Sequence, residues 1–405
     1  MSSRTYDLII YGATGFTGRL VAEYLTGAAP DGLRWALAGR SRERLADVAR
    51  EIGQADLPLV IADSSDPQSL GQMAMSAQVV CTTVGPYATH GTPVVQACIE
   101  AGTDYCDLTG EVQWIRQMID TYQEQAAQSG ARIVHTCGFD SIPSDLGTLY
   151  AQQQMMQRHG VFASHVKMRV KALRGGASGG TIASLMNVMA EAANDPSVRR
   201  IVTDPYALNP AGQRQGPDTN ESLRPVFDPD FDQWVGPFVM AVINSRVVRR
   251  TNALLNHSWG QNFRYDEGML MGSGPLGAVK AAGLGAGVGG GAAMMAVGPV
   301  RNLVGRVLPG SGSGPGPAAR QKGFFDIRLA ALHPTDSNRN VMVKVTGDAD
   351  PGYGSTCKML GQSALALAAG EATVAGGVWT PATALGEPLL ERLPRHAGVT
   401  FEVLG

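Results

Sequence analysis

Short apolar runs alternate with helical patterns over the first 135 residues of the chain. Each run has the length of a strand buried on both faces, and the stretch after it places its apolar side chains on one helical face. This alternation predicts an α/β fold of βαβ units around a parallel sheet. The predicted strands are Leu8–Tyr11, Trp35–Ala38, Pro58–Ala62, Val79–Val84, Tyr105–Leu108 and Arg132–Thr136, and the predicted helices are Thr17–Leu25, Arg42–Ile52, Pro93–Ala101 and Val112–Ser129.

Beyond residue 150 the pattern changes to strands with one buried face, mixed with helices. We therefore predict a second, α+β domain over residues 151–350, which binds substrate or forms a dimer. The segment 351–405 is again largely helical, and we expect at least one helix of it to pack back on the first domain. The predicted strands are His165–Leu173, Phe324–Leu332 and Asn340–Gly347, and the predicted helices are Thr181–Ala193, Phe238–Leu255, Ser355–Ala369 and Thr383–Leu393.

Charge and cysteine content narrow the classes of function. The 405 residues include 33 Lys and Arg against 35 Asp and Glu, so the net charge of −2 lacks the basic excess that binding to nucleic acid requires. The five cysteines have no metal-ligand spacing, and their odd number is typical of a reducing compartment. We therefore predict no metal site. The N-terminal residues lack the pattern of a secretory signal, so the expected location is the cytoplasm.

Glycine is abundant, with 51 residues, and much of it falls in Gly268–Pro317. Within this stretch Ala281–Val300 carries no charge but has too few bulky side chains to favour a spanning helix. We predict an apolar insertion at 268–317 that acts as a mobile acyl-binding flap or rests on the inner face of the plasma membrane, with a flexible insertion that binds nothing as the alternative. Basic residues that suit an anionic membrane surface flank it: Arg301, Arg306, Arg320 and Lys322.

The strongest chemical signal lies between the first predicted strand and helix, in the sequence Tyr11-Gly12-Ala13-Thr14-Gly15-Phe16-Thr17-Gly18. Small residues there let the backbone approach a pyrophosphate, and the helix N-terminus offers free N–H groups and a positive dipole end. The spacing G-x-x-G-x-x-G resembles that of short-chain dehydrogenases. Residues 1–150 are therefore predicted to form a Rossmann-type domain that binds a nicotinamide dinucleotide through residues 12–18.

The residues after the second and third strands predict which dinucleotide binds. An NAD site places a carboxylate after strand two, whereas this chain has Arg40 and Ser41. Because a guanidinium suits a 2′-phosphate, we predict NADP(H), with Arg40 as the main contact and Ser41 assisting. Asp63 and Ser64 are placed to meet the adenine edge, although an aspartate there also suits a turn.

Candidate proton donors follow the later strands of the sheet. The nicotinamide half of the cofactor is expected along Thr83-Val84-Gly85-Pro86, and polar clusters occupy residues 104–111 and 135–145. We predict that the donor is among Tyr87, Tyr105 and Asp140. Plain packing or stacking is an equal alternative for Tyr87, and a helix N-cap is the alternative role for a carboxylate in these clusters.

Several of these motifs together resemble the saccharopine dehydrogenase-like oxidoreductases, most of all the trans-acting enoyl reductases of mycobacterial lipid synthesis. The resemblance implies an NADPH-dependent enzyme that reduces a carbon–carbon double bond in a polyketide-derived glycolipid precursor, and it implies no particular catalytic acid. The sequence G-A-T-G-F-T-G departs from the plainer G-x-G of lysine-pathway saccharopine dehydrogenases, so saccharopine is not the expected substrate. The motifs that carry the resemblance are Gly12–Gly18, Ala38–Arg42, Thr83–Tyr87, Tyr105–Glu111, Cys137–Asp145, Gly352–Gly354 and Gly377–Ala384.

The sequence is also compatible with two other functions. The chain could be a non-catalytic NADP-binding redox sensor or scaffold, since regulators of the short-chain-dehydrogenase type share the glycine motif. It could also be a dehydrogenase of an amino acid or imine, with a substrate carboxylate held by Arg169, Lys171 or Arg174. The basic run at residues 246–250 is interpreted as the solvent-exposed face of a helix or a contact in a homodimer.

Overall fold

The computed structural model of the protein describes residues 4–175, 179–296 and 314–404. The first sheet is parallel, with seven strands in the order β13-β6-β5-β4-β1-β2-β3. In the central strand β1, Leu8 and Ile10 enter one buried apolar cluster and Ile9 and Tyr11 enter another, so helices cover both faces of the sheet. The strands are β1 Tyr6–Tyr11, β2 Trp35–Gly39, β3 Leu59–Ile61, β4 Ala77–Thr82, β5 Asp104–Cys106, β6 Arg132–Val134 and β13 Gly377–Trp379.

The second sheet is mixed, with the order β14-β12-β11-β7-β10-β9-β8. Strands β7 and β10 pair in parallel and the other neighbours are antiparallel. The predicted fold class, a Rossmann-type sheet followed by an α+β domain, is confirmed. The strands are β7 His165–Arg174, β8 Val226–Asp228, β9 Gln233–Gly236, β10 Arg264–Gly272, β11 Phe324–Leu332, β12 Val341–Gly347 and β14 Val399–Leu404.

The described helices pack around these two sheets, and none of them has the length and apolar character needed to cross a membrane. Their bounds are α1 Phe16–Ala28, α2 Arg42–Glu51, α3 Pro67–Ser76, α4 Tyr87–Ala101, α5 Val112–Ser129, α6 Ile142–His159, α7 Gly179–Asn194, α8 Pro196–Thr203, α9 Ala241–Leu254, α10 Gly274–Ala296, α11 Pro317–Gln321, α12 Thr356–Ala368 and α13 Pro381–Arg392.

The C-terminal segment contacts both sheets. Helix α12 packs on α1 and β4, as expected for a helix that returns to the first domain, and β13 joins the parallel sheet beside β6. Strand β14, however, pairs with β12 in the second sheet. Helix α6 runs through residue 150, where we predicted the first domain to end. The predicted domain limits therefore remain predictions.

The glycine-rich stretch predicted as an apolar insertion over 268–317 is regular structure through residue 296. Residues 268–272 belong to β10, and α10 begins at Gly274. Gly277 and Gly285 let α10 pack closely on the second sheet, because a Cβ on them would lie 2.0 Å from the carbonyl oxygen of Gly272 and 2.1 Å from that of Leu223. Residues 297–313 of the predicted insertion, with Arg301 and Arg306, lie outside the described residues.

The basic run in α9 is buried, so its interpretation as a solvent-exposed helix face or a dimer contact was wrong. Arg246, Arg249 and Arg250 are at most 4% exposed. Their guanidinium groups satisfy carbonyl groups that have no partner in a helix or sheet. Arg246 donates to the carbonyl oxygen of Val202, Arg249 to that of Pro205 and Arg250 to that of Leu208.

Paired substitutions test the packing of α10. Gly285→Ala should lower the free energy of unfolding, because its Cβ cannot fit against the Leu223 carbonyl without moving the helix. Gly287→Ala meets no atom within 4 Å. It should raise stability by up to about 1 kcal/mol through the helix propensity of alanine. Urea denaturation of both variants measures the difference, and equal effects would contradict this packing.

Candidate active site

The turn after β1 is shaped by glycines. Gly12 adopts a φ of +88°, which favours glycine, and its amide donates to the carbonyl oxygen of Ala38 at 3.0 Å. A Cβ on Gly18 would lie 2.2 Å from the carbonyl oxygen of Gly12 and 2.7 Å from Thr83 Oγ1. Only glycine at position 18 therefore lets α1 start this close to β1 and β4.

Helix α1 has no side-chain N-cap among the described residues. Gly15 is the N-cap residue and offers no side chain, and the first turn contains no acidic residue. Helices α2 and α3, in contrast, are capped by Ser41 and Asp66. Unpartnered N–H groups and the positive dipole end of α1 suit a pyrophosphate, so this cradle fits the dinucleotide predicted for residues 12–18.

The side chains of the glycine motif have separate roles. Ala13 is buried in the core below the turn. The Thr14 hydroxyl lies 3.8 Å from where a Cβ on Gly39 would stand. The Phe16 ring lies edge-on to Tyr353, with ring centroids 4.8 Å apart, and the carbonyl of Thr17 accepts from Cys357 Sγ at 3.7 Å. The side chains of the motif therefore pack against the protein, and the N–H groups at the start of α1 are the part of its backbone that can meet a ligand.

The residues predicted to hold the adenosine half follow β2 and β3. Arg40 is exposed directly after β2 and has no ion pair among the described residues, so its guanidinium is available to a 2′-phosphate. Ser41 Oγ accepts from the backbone N–H of Arg44 at 3.3 Å and so caps α2. This cap is a role that we did not predict for Ser41.

Asp63 and Ser64 follow β3 at the carboxyl edge of the sheet, the same edge at which Arg40 follows β2. Hydrogen bonds from the backbone N–H and hydroxyl of Ser65, together with the nearby guanidinium of Arg40, lower the pKa of Asp63. Ser64 Oγ lies 3.4 Å from His90 Nδ1. Asp63 therefore forms the turn that we gave as its alternative role, while it remains close to Arg40.

The segment after β4 borders the glycine turn. A Cβ on Gly12 would lie 2.6 Å from Val84 Cγ2 and 3.0 Å from Thr83 Oγ1. Gly85 is exposed, and Pro86 is the N-cap residue of α4. Residues 83–86 thus stand beside the cradle at the carboxyl edge of the sheet, where the nicotinamide half of a dinucleotide is expected.

The two tyrosines among the predicted donors are buried with their hydroxyls engaged. Tyr87 donates to the carbonyl oxygen of Thr82 at 3.2 Å, and Tyr105 donates to Asp107 Oδ2 at 2.9 Å. Burial, reinforced by the negative charge of Asp107, raises the pKa of both phenols well above the ordinary value. The structure therefore does not bring Tyr87 or Tyr105 to an open site, and it corrects their prediction as direct donors.

Two buried carboxylates, Asp107 and Glu111, which we did not predict as site residues, accept hydrogen bonds from the backbone at this edge of the sheet. Asp107 accepts from the N–H groups of Thr109 and Thr136, both at 3.1 Å, and lies 2.7 Å from His135 Nδ1. It holds the loops after β5 and β6 together. Its sequence signal was only its place within the polar cluster at 104–111.

Glu111 joins the two domains. Its carboxylate accepts from the N–H groups of Tyr87 and Ala88 at 2.8 and 2.9 Å, which caps α4, and from Ser184 Oγ of α7 at 2.8 Å. Burial raises the pKa of Glu111. Since α7 follows β7, a strand of the second sheet, this contact fixes a helix of the second domain over the edge of the first.

Asp140 is the predicted donor that remains free. Its Oδ2 lies 3.8 Å from where a Cβ on Gly110 would stand, which places it between the loops after β5 and β6. The side chain is half-buried and makes no hydrogen bond or ion pair within residues 4–175, 179–296 and 314–404. Removal from water raises its pKa to about 7. Asp140 can therefore hold or release a proton near neutral pH.

Other groups at this edge have structural roles. Asp145 is fully buried, and its carboxylate accepts from the backbone N–H of Ala382 at 2.8 Å, so it caps α13 rather than its own helix. All five cysteines are free and buried. Among the described residues, no group of three or more His, Cys, Asp or Glu side chains could hold a metal ion.

Comparison with known proteins agrees with this geometry. Residues 8–134 match the family described as the saccharopine dehydrogenase NADP binding domain. The yeast saccharopine dehydrogenase (L-Glu forming) of Saccharomyces cerevisiae has the same fold, with a TM-score of 0.54 at 13% identity over 98% of this chain and 99% of that chain. The protein is an NADP-dependent oxidoreductase.

Full-length relatives identify the family. A Mycobacterium bovis protein named trans-acting enoyl reductase is 42% identical over 99% of this chain and 98% of its own. A Mycobacterium tuberculosis protein, provisionally given the same name, is 44% identical over 98% of this chain and 97% of its own. The chain belongs to this family, which confirms the resemblance seen in the sequence.

Substitution of Arg40 tests the choice of cofactor. Arg40→Ala should weaken binding of NADPH about 10- to 100-fold, because charge-assisted hydrogen bonds to the 2′-phosphate are lost, and should leave binding of NADH unchanged. Fluorescence titration with each nucleotide measures the two Kd values. Arg44→Ala is the matched control, because Arg44 is an exposed arginine in the first turn of α2. Equal weakening for both nucleotides would assign Arg40 a general electrostatic role instead.

Proposed function

We propose that this protein is a trans-acting enoyl reductase that reduces the carbon–carbon double bond of a polyketide-derived acyl or glycolipid precursor with NADPH. The observation that carries the proposal is the identity of 42–44%, over nearly the whole of both chains, with proteins of that name. Three features support it, since reduction needs a bound dinucleotide and a proton. Arg40 is exposed, and within the described part of the chain neither the N-terminus of α1 nor the Asp140 carboxylate has a side-chain partner.

The reaction adds a hydride to the β-carbon and a proton to the α-carbon of the enoyl group. NADPH, when bound, supplies the hydride and its two electrons. Residues 12–18 and 83–86 hold the dinucleotide along the carboxyl edge of the sheet. Asp140 donates the proton to the α-carbon as negative charge develops there, and it then regains a proton from water.

The position of Asp140 is held from both sides, as general acid catalysis requires. The backbone N–H of Phe139 donates to Thr356 Oγ1 at 3.0 Å, and Ser141 Oγ donates to Asn244 Oδ1 at 3.2 Å. The residues before and after Asp140 are therefore tied to α12 and α9. The carboxyl group between them makes no hydrogen bond to any described residue, and its raised pKa keeps it partly protonated at neutral pH.

The amino-acid or imine alternative has less support. Arg169, one of the three cations that could hold a substrate carboxylate, is buried and paired with Asp228 and Asp266 at 2.7 and 2.6 Å. Because a buried ion pair is costly to break, Arg169 does not offer a free guanidinium to a substrate. The enoyl proposal needs no such cation.

Replacement of Asp140 tests the proton donor. Asp140→Asn should lower kcat about 100- to 10,000-fold with a long-chain trans-2-enoyl thioester while the Kd for NADPH stays unchanged. Glu267→Gln is the matched control, since burial also raises the pKa of Glu267 to about 7 but Tyr265 and Asn244 occupy its carboxylate. Stopped-flow absorbance of NADPH measures both variants, and full activity of Asp140→Asn would exclude Asp140 as donor.

The pH dependence provides a separate prediction. Because the pKa of Asp140 is raised to about 7, its acid form predominates below pH 7 and is lost above it. The kcat should therefore fall about tenfold per pH unit above 7 in the wild-type protein. A kcat–pH profile should lack this limb in Asp140→Asn. An identical limb in both proteins would assign the titration to another group.

The lipid substrate itself is tested in cells. A deletion strain should accumulate a precursor with one double bond more than the mature lipid, and mass spectrometry of total lipid extracts detects the two-hydrogen difference. Unchanged lipids, together with NADPH binding but no turnover of any enoyl thioester, would favour the redox sensor instead.

A further inference from the structure

We propose that α10 and the segment Leu223–Phe227 form a surface that rests on an anionic lipid bilayer. This inference does not depend on the proposed reaction, because it rests on exposure, packing and charge in the second domain. The surface is called the α10 surface below.

The α10 surface is apolar, and no other described residues cover it. Six of the twelve exposed large apolar side chains of the described residues belong to it, and Leu276 and Val279 on α10 are 65% and 67% exposed. The two segments are contiguous, because a Cβ on Gly285 or Gly289 of α10 would lie 2.1 or 3.3 Å from atoms of Leu223. The six side chains are those of Leu223, Val226, Phe227, Leu276, Val279 and Met294. Such a concentration marks a contact surface.

Packing leaves only one side of α10 available. Gly277, Ala281 and Gly285 recur at four-residue spacing and are buried toward β9. Leu276, Val279 and Lys280 are exposed. The helix is therefore fixed to the sheet along a stripe of small residues, while its bulkier apolar side chains meet solvent. A helix held in this way can lie on a membrane interface with its exposed face.

Charge selects an anionic partner. Helix α10, residues 274–296, contains one charged side chain, the exposed Lys280, and no Asp or Glu. The segment Leu223–Phe227 also lacks acidic residues and adds the exposed Arg224. Basic residues around an apolar surface are attracted to anionic lipid headgroups.

The same features argue against two other occupants. In a symmetric dimer the α10 surface would meet its own copy, and the cations of Arg224 and Lys280 would face each other without acidic partners from either segment. An acyl chain of the substrate would require a concave site that encloses it. The exposed side of a helix is convex, so a flat lipid surface fits it better.

Vesicle flotation tests the proposal on the full chain. The protein should float with vesicles of phosphatidylcholine containing about 30% phosphatidylglycerol and remain unbound with phosphatidylcholine alone, and binding should weaken from about 0.1 M to about 1 M salt. Leu276→Ser with Val279→Ser should lower the vesicle partition coefficient about tenfold. Lys280→Glu should lower it and reduce its dependence on salt.

Matched controls keep the test specific. Met75→Ser and Met156→Ser change exposed methionines on α3 and α6, and they should leave vesicle binding unchanged. All variants should keep their circular dichroism spectrum and NADPH affinity. Equal binding to both vesicle types, or undiminished binding of the double serine variant, would overturn the proposal. A change of mass in size-exclusion chromatography with light scattering for that variant, without a change in vesicle binding, would assign the surface to a second copy.

Discussion

The contact between Gly18 and the carbonyl oxygen of Gly12 fixes the position of α1, and the rest of the site depends on α1. Helix α12 docks on α1, where Gln362 Nε2 donates to a tyrosine hydroxyl of α1 at 2.7 Å. Thr356, the first residue of α12, accepts from the backbone just before Asp140 at 3.0 Å. A side chain at position 18 would therefore displace both the cradle and the carboxyl group that we assign to proton transfer.

Carboxylates at the edge of the sheet divide by their partners. Asp107, Glu111 and Asp145 are fully buried, and each accepts hydrogen bonds from backbone N–H groups that would otherwise be unsatisfied. They tie loops and helices of the two domains together. Asp140 lacks such partners among the described residues, so the desolvation of its charge is uncompensated. Stabilisation of the fold thus explains why Asp107, Glu111 and Asp145 are buried, whereas a role in proton transfer is the better explanation for Asp140.

Glycine serves the same physical purpose in two distant parts of the molecule. At Gly18 it brings α1 against the end of β1, and at Gly285 it brings α10 against the chain at Leu223. In both places a backbone oxygen occupies the volume that a Cβ would need. The first approach opens a helix N-terminus to a dinucleotide, whereas the second turns a helix side that carries Leu276 and Val279 toward solvent.

Local patterns in the sequence determined the parallel sheet, the glycine turn and the preference for NADP, because strand length, helical periodicity and turn residues act between near neighbours. They did not indicate that β13, more than 240 residues after β6, completes that sheet, or that Arg250 is buried between backbone carbonyls. Nor did they indicate that the Tyr105 hydroxyl is buried and hydrogen-bonded, whereas the half-buried Asp140 carboxylate has no partner among the described residues. Burial and hydrogen-bond partners decide those questions, and residues far apart in the chain supply both, so only the tertiary structure settled them.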